Sequence, residues 1–115
     1  MEERVAKILD VEEKESTELL NVTRENLKLY HSYLSKELSF PFDADVEDKY
    51  HEVRITNLSE FDDLPEPIFY GLLCEGRRER RKVVVPLGDV TVKRDGRNKQ
   101  LVKDYRDWLW NYRYR

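Results

Sequence analysis

The feature that most narrows the fold is a change of hydrophobic period at Pro41. Before it, Leu27, Tyr30, Leu34 and Leu38 recur at helical spacing behind Thr23, a residue type suited to cap a helix. After it, Phe42, Ala44 and Val46 alternate with Asp43, Asp45 and Glu47, which predicts a strand with one apolar and one anionic face. Proline enforces the break, because it supplies no backbone donor and disfavours helical geometry in the residue before it. Helical spacing returns only near the end, where Leu101, Tyr105, Trp108, Leu109 and Tyr112 share one face. Trp110 lies about 180° around that helix from Leu101 and is expected to cover a barrel edge rather than stand exposed. A further helical stretch opens the chain with Val5, Ile8 and Leu9, and the polar residues 12–17 behind it read as helix or linker.

Between the helical ends lie five candidate strands, at residues 42–47, 50–58, 68–75, 82–86 and 89–94. Turn chemistry separates the late ones, at Glu75-Gly76-Arg77-Arg78, Pro86-Leu87-Gly88-Asp89 and Asp95-Gly96. Five short strands so close together imply a small, strongly curved barrel. The tight turn in Val85-Pro86-Leu87-Gly88-Asp89-Val90 resembles the step into the last strand of SH3-like barrels. The expected fold class is therefore α+β, with N-terminal helices, a small five-stranded SH3-like β-barrel and a C-terminal helix packed on it. A length of 115 residues suits one domain. Its helical N-terminal part is placed at 1–38, its barrel at 39–96 and its closing helix at 97–115.

Charge is abundant and unevenly spread. Charged residues make up 39% of the chain, against a usual fraction of roughly 25%. Residues 1–38 carry a net charge of −3, residues 39–70 of −7 and residues 71–115 of +7, an anionic middle followed by a cationic last third. Cys74 is the only cysteine, which excludes an intramolecular disulfide and a thiolate zinc cluster and fits a reducing, cytoplasmic setting. No signal peptide is expected at the acidic start, and no run reaches the ~20 apolar residues of a membrane span.

Catalytic chemistry finds little support, so a non-enzyme is expected. His31 falls in a helix and His51 in a strand, and no serine or cysteine stands in a nucleophile motif. Cys74 lies in an apolar run and reads as a core residue. Two binding chemistries remain. Arg77, Arg78, Arg80, Arg81 and Lys82 form a basic hairpin tip suited to nucleic acid or an acidic protein. Asp43, Asp45, Glu47 and Asp48 form an acidic run, which suits a hard cation such as Ca²⁺. An EF-hand is excluded, because a loop opened at Asp43 puts Asp48 where glycine is required and Arg54 where a bidentate glutamate is required. Asp62 and Asp63, in the acidic loop 59–66, are the expected helpers from a second segment.

Tyr33-Leu34, the run from Leu38 to Ala44 through Phe40-Pro41-Phe42, the run from Val85 to Val90 and the closing Asp104-Tyr105-Arg106-Asp107-Trp108 occur in this order. In this the chain resembles the small non-EF-hand calcium-binding protein family described from cyanobacteria, over about residues 24–112. The resemblance implies a compact α+β protein acting as a calcium buffer or sensor, with Ca²⁺ as its partner. Among the matched positions Asp89 offers an oxygen ligand. Asp43, Asp45, Glu47 and Asp48 are candidates from local chemistry.

Overall fold

The computed structural model describes residues 2–9, 20–47 and 50–113. Its elements run α1 (Glu2–Ile8), α2 (Arg24–Glu37), β1 (Phe42–Val46), β2 (Tyr50–Leu58), α3 (Pro67–Tyr70), β3 (Leu73–Arg78), β4 (Arg81–Pro86), β5 (Val90–Val92) and α4 (Arg97–Tyr112). The polar stretch 12–17 lies outside the described residues, as does Asp48.

The change of period at Pro41 is a change of element. Thr23 caps α2 by accepting the Asn26 backbone N–H on its hydroxyl at 3.1 Å. Leu27, Tyr30 and Leu34 of that helix are buried, and Leu38 follows them into the core. β1 then buries Phe42, Ala44 and Val46 and turns Asp43 and Asp45 outward. On α4 the stripe Leu101, Tyr105, Trp108, Leu109 and Tyr112 is buried. Tyr30 stacks on Trp108 at 4.9 Å between ring centres and meets Tyr105 edge-on at 5.3 Å, so α2 and α4 share an aromatic centre.

The strands form one antiparallel sheet in the order β4-β3-β2-β1-β5. The expected barrel is corrected in this respect: the sheet is open, with β4 and β5 as its two edges. The reason lies in α4, which packs against β5 and the 3₁₀ turn Leu87–Asp89. A Cβ on Gly88 would lie 3.0 Å from Leu109, so glycine lets the helix sit directly on that turn.

The third strand begins later than its apolar run predicts. Residues 67–70 form a helical turn opened by proline, and the Phe69 and Tyr70 N–H groups donate to the Glu66 carbonyl. Gly71 ends that turn at φ +71°, and a Cβ there would stand 2.6 Å from the Tyr105 hydroxyl oxygen. That hydroxyl accepts the Leu72 backbone N–H at 2.8 Å, tying the start of β3 to α4. Trp110 is also corrected: it is 58% exposed and flanked by Arg113, rather than laid over a sheet edge. No helix among the described residues is long and apolar enough to cross a membrane.

Candidate metal centre

The acidic face of β1 is built by strand alternation, which puts Asp43 and Asp45 on one side about 7 Å apart. Each acid of this edge stands beside a cation from a different element. Asp43 lies 3.7 Å from Arg54 of β2, its partner in register. Asp45 lies 3.5 Å from Lys93, and Glu47 lies 3.5 Å from Arg106 of α4. These are exposed, loosely held pairs, a kind worth little to stability and open to competition by a denser charge.

Asp45 is the best defined of the three. The register of β1 against β2 shifts between Ala44 and Val46, so that His51 and Glu52 together face Asp45. Glu52 takes up the extra residue in left-handed geometry at φ +57°. Its backbone N–H consequently points at Asp45 Oδ1 and donates at 2.9 Å. That hydrogen bond, helped by Lys93, outweighs partial desolvation and holds the Asp45 carboxyl below its usual range. The Lys93 ammonium also lies 3.4 Å from Glu52 Oε1, and so bridges two carboxylates. Desolvation pulls its pKa down, but Glu52 and Asp45 outweigh this and leave it raised.

Asp89 ends the 3₁₀ turn before β5, and its carbonyl accepts the Glu47 N–H at 2.9 Å. The turn thus lies beside the β1 end of the hairpin. Asp62 and Asp63 lie elsewhere: they follow the far end of β2, whose nine residues separate them from the hairpin by about 25 Å. The two acidic segments are not brought together. Among the described residues, no three Asp, Glu, His or Cys side chains converge on one point.

Ca²⁺ takes six to eight oxygens. The hairpin offers oxygens of the right chemistry, since Asp45 and Glu52 both lie beside the Lys93 ammonium, but the described side chains do not by themselves make that shell. Glu52 and Lys93 are absent from the sequence-derived site. One signal points to Glu52: Tyr50 and Val53 are three apart where strict alternation needs two, which marks an inserted residue, whereas nothing local in the sequence points to Lys93.

The other candidates resolve simply. Cys74 is buried in the sheet, and burial pushes its thiol up to about 12, far from a nucleophile's range. His31 makes a 2.8 Å hydrogen bond to the Ser59 carbonyl and packs edge-on to Phe61, while His51 is exposed. The five bases of residues 77–82 are exposed along the β3-β4 hairpin.

The protein is thus an α+β protein without an EF-hand, with Asp43, Asp45 and Glu52 on its first hairpin. Residues 20–109 match the CcbP family, described as "Calcium binding", and the chain belongs to that family. It is a calcium-binding protein. The fold is similar to that of "The crystal structure of Anabaena CcbP", with a TM-score of 0.68 at 19% identity over 94% of this chain and 87% of that one. It is equally similar to "Calcium binding protein in the calcium-binding form", with a TM-score of 0.67 at 19% identity over 95% and 88%. No curated protein matches the chain in sequence.

Proposed function

We infer that this chain is a non-catalytic calcium buffer or sensor whose ion is held at the β1-β2 hairpin. Asp45 and Glu52 are the central ligands. Asp43, Glu47 and Asp89 are the nearest acids around them, and Asp48 adjoins in sequence. The observation that carries this reading is the Lys93 ammonium lying 3.5 Å from the Asp45 carboxylate and 3.4 Å from that of Glu52, a positive centre between two acids of the hairpin. A bound Ca²⁺ supplies two charges at that point in place of one, and relieves the repulsion among the surrounding acids.

Strand order and the 3₁₀ turn between β4 and β5 support reading the sheet as a split SH3-like barrel within a single domain of residues 1–115. The lone, buried Cys74 suits a cytoplasmic location. The test is an amide-resolved NMR titration with Ca²⁺ against Mg²⁺. Calcium-selective, saturable shifts at residues 43–47, 50–53 and 89–93 are expected, and Asp45→Asn or Glu52→Gln lowers affinity by about tenfold. Shifts confined to residues 60–66, or unaltered affinity in both variants, would remove the hairpin from the site.

A further inference from the structure

We propose that the outer face of the β2-β3-β4 sheet is a phosphate-backbone surface for single-stranded nucleic acid. The register carries the argument. Arg54 of β2 faces Arg77 of β3, and Arg77 faces Lys82 of β4, so three cations stand in one row across three strands. One position further toward the tip, Arg78 faces Arg81. Like charges directly opposite one another destabilise a sheet, and here the arrangement occurs twice in one row, Arg54 with Arg77 and Arg77 with Lys82, while alternation turns the Arg78–Arg81 pair to the other side at the hairpin tip. All of these side chains are exposed. Acids offset only the ends of the row, Asp43 loosely at 3.7 Å from Arg54 and Glu75 at 2.8 Å from Lys82. Arg77, in the middle, is flanked by a cation on each side.

The row does not stop at the hairpin. Arg54 also lines a cleft of about 670 Å³ together with Lys93, Arg94 and Arg97, where four bases outnumber the acids Asp43 and Asp95, although Arg97 is held by Glu37 at 2.7 Å. Arginine dominates it, and the planar guanidinium suits phosphate oxygens. A folded acidic protein is the less favoured occupant. Protein interfaces centre on buried apolar and aromatic anchors, whereas the row's neighbours in register are Asn57, Glu75 and the single exposed apolar residue Val84. Phosphate contacts need only the charge.

The experiment is fluorescence anisotropy with labelled oligouridine and oligothymidine of about 12 nucleotides, within the range bound by small single-strand modules. Four phosphate contacts predict a loss of roughly fiftyfold in affinity between ~50 and ~200 mM salt. Arg54→Ala with Arg77→Ala should weaken binding at least about tenfold, and Arg77→Ala with Lys82→Ala should do so as well. All three side chains are exposed and Arg77 faces a like charge on either side in register, so the variants should melt no lower than the parent, read by circular dichroism. Absence of binding at ~50 mM salt, affinity indifferent to both variants, or tighter binding to a polyglutamate peptide of equal charge would each overturn the proposal.

Discussion

Glu52 donates its backbone N–H to Asp45 Oδ1 at 2.9 Å across a bulge that exists because Glu52 adopts φ +57°. A left-handed non-glycine residue is uncommon, and here it aims both its own amide and its carboxylate toward one spot. Lys93 completes that spot from the segment after β5, which makes it the protein's internal rival to a bound ion. Replacing Lys93 with Gln removes the rival charge while keeping a side chain of similar length. Calcium affinity should rise about fivefold by isothermal titration calorimetry. A fall in affinity would mean that Lys93 supports the site instead of competing for it.

The depressed Asp45 carboxyl can be followed directly by pH titration. A carboxylate whose folded pKa is lowered stays ionised below the usual ~3.9, so Asp45 should keep its charge on acidification past the point at which an ordinary aspartate loses it, followed by its side-chain carboxyl resonance in NMR. In Glu52→Pro, which has no N–H to donate and cannot take a positive φ, the same Asp45 resonance, followed without calcium, should titrate at higher pH.

Asp104 carries a second acid-sensitive contact. It is buried on α4 and accepts Arg4 Nε at 2.6 Å and Arg4 Nη2 at 2.9 Å, with Gln100 adding a third hydrogen bond. Burial alone would raise its pKa, but Arg4 and Gln100 outweigh burial and hold it low. A depressed carboxyl contributes stability that is full above its unfolded value and lost as pH falls through its folded one. Asp104→Asn should therefore cost about 2 kcal/mol near neutrality and flatten the loss of stability below about pH 4, measured by urea unfolding across pH.

Tyr105→Phe isolates the tie between α4 and β3. The hydroxyl is the acceptor for the buried Leu72 N–H, and its loss leaves that donor unpaired at a cost of about 1–3 kcal/mol. Gly71→Ala should cost more, because it combines a positive φ with a Cβ 2.6 Å from the same hydroxyl. Pairing the two changes should recover part of the deficit in a double-mutant cycle, since the clash partner is then gone.

Cys74 should stay unmodified by a thiol reagent in the native state and react in full once denatured. Its burial and a thiol pushed up to about 12 leave almost no thiolate at neutral pH. Rapid native labelling would show that the β3-β4 edge opens readily.

Much of this fold was legible in the sequence because it rests on local signals. Thr23, the stripe from Leu27 to Leu38, the alternation through β1 and the apolar face of α4 each announce their element within a few residues. What escaped depends on distance. Ile68, Phe69 and Tyr70 read as strand by composition, and only Pro67 and the close approach of Tyr105 to Gly71 fold them into a turn. The site shows the same division. Asp45 was readable, whereas Lys93 reaches it only through strand pairing, and Asp62 and Asp63 were grouped with it by charge although β2 carries them away. Charge density along a chain says which residues are acidic, and register says which of them meet.

The anchoring of α4 also bears on how the protein is made. Trp108 Nε1 donates to the Leu20 carbonyl, the Tyr112 carbonyl accepts the Val22 N–H at 3.2 Å, and Asp104 holds Arg4. Synthesis delivers this helix after every strand, so the core around Tyr30 lacks the partners Tyr105 and Trp108 until α4 has been made. Completion of the native structure therefore waits on the last of the elements described, and the interval before it is the one in which a chaperone has a surface to hold.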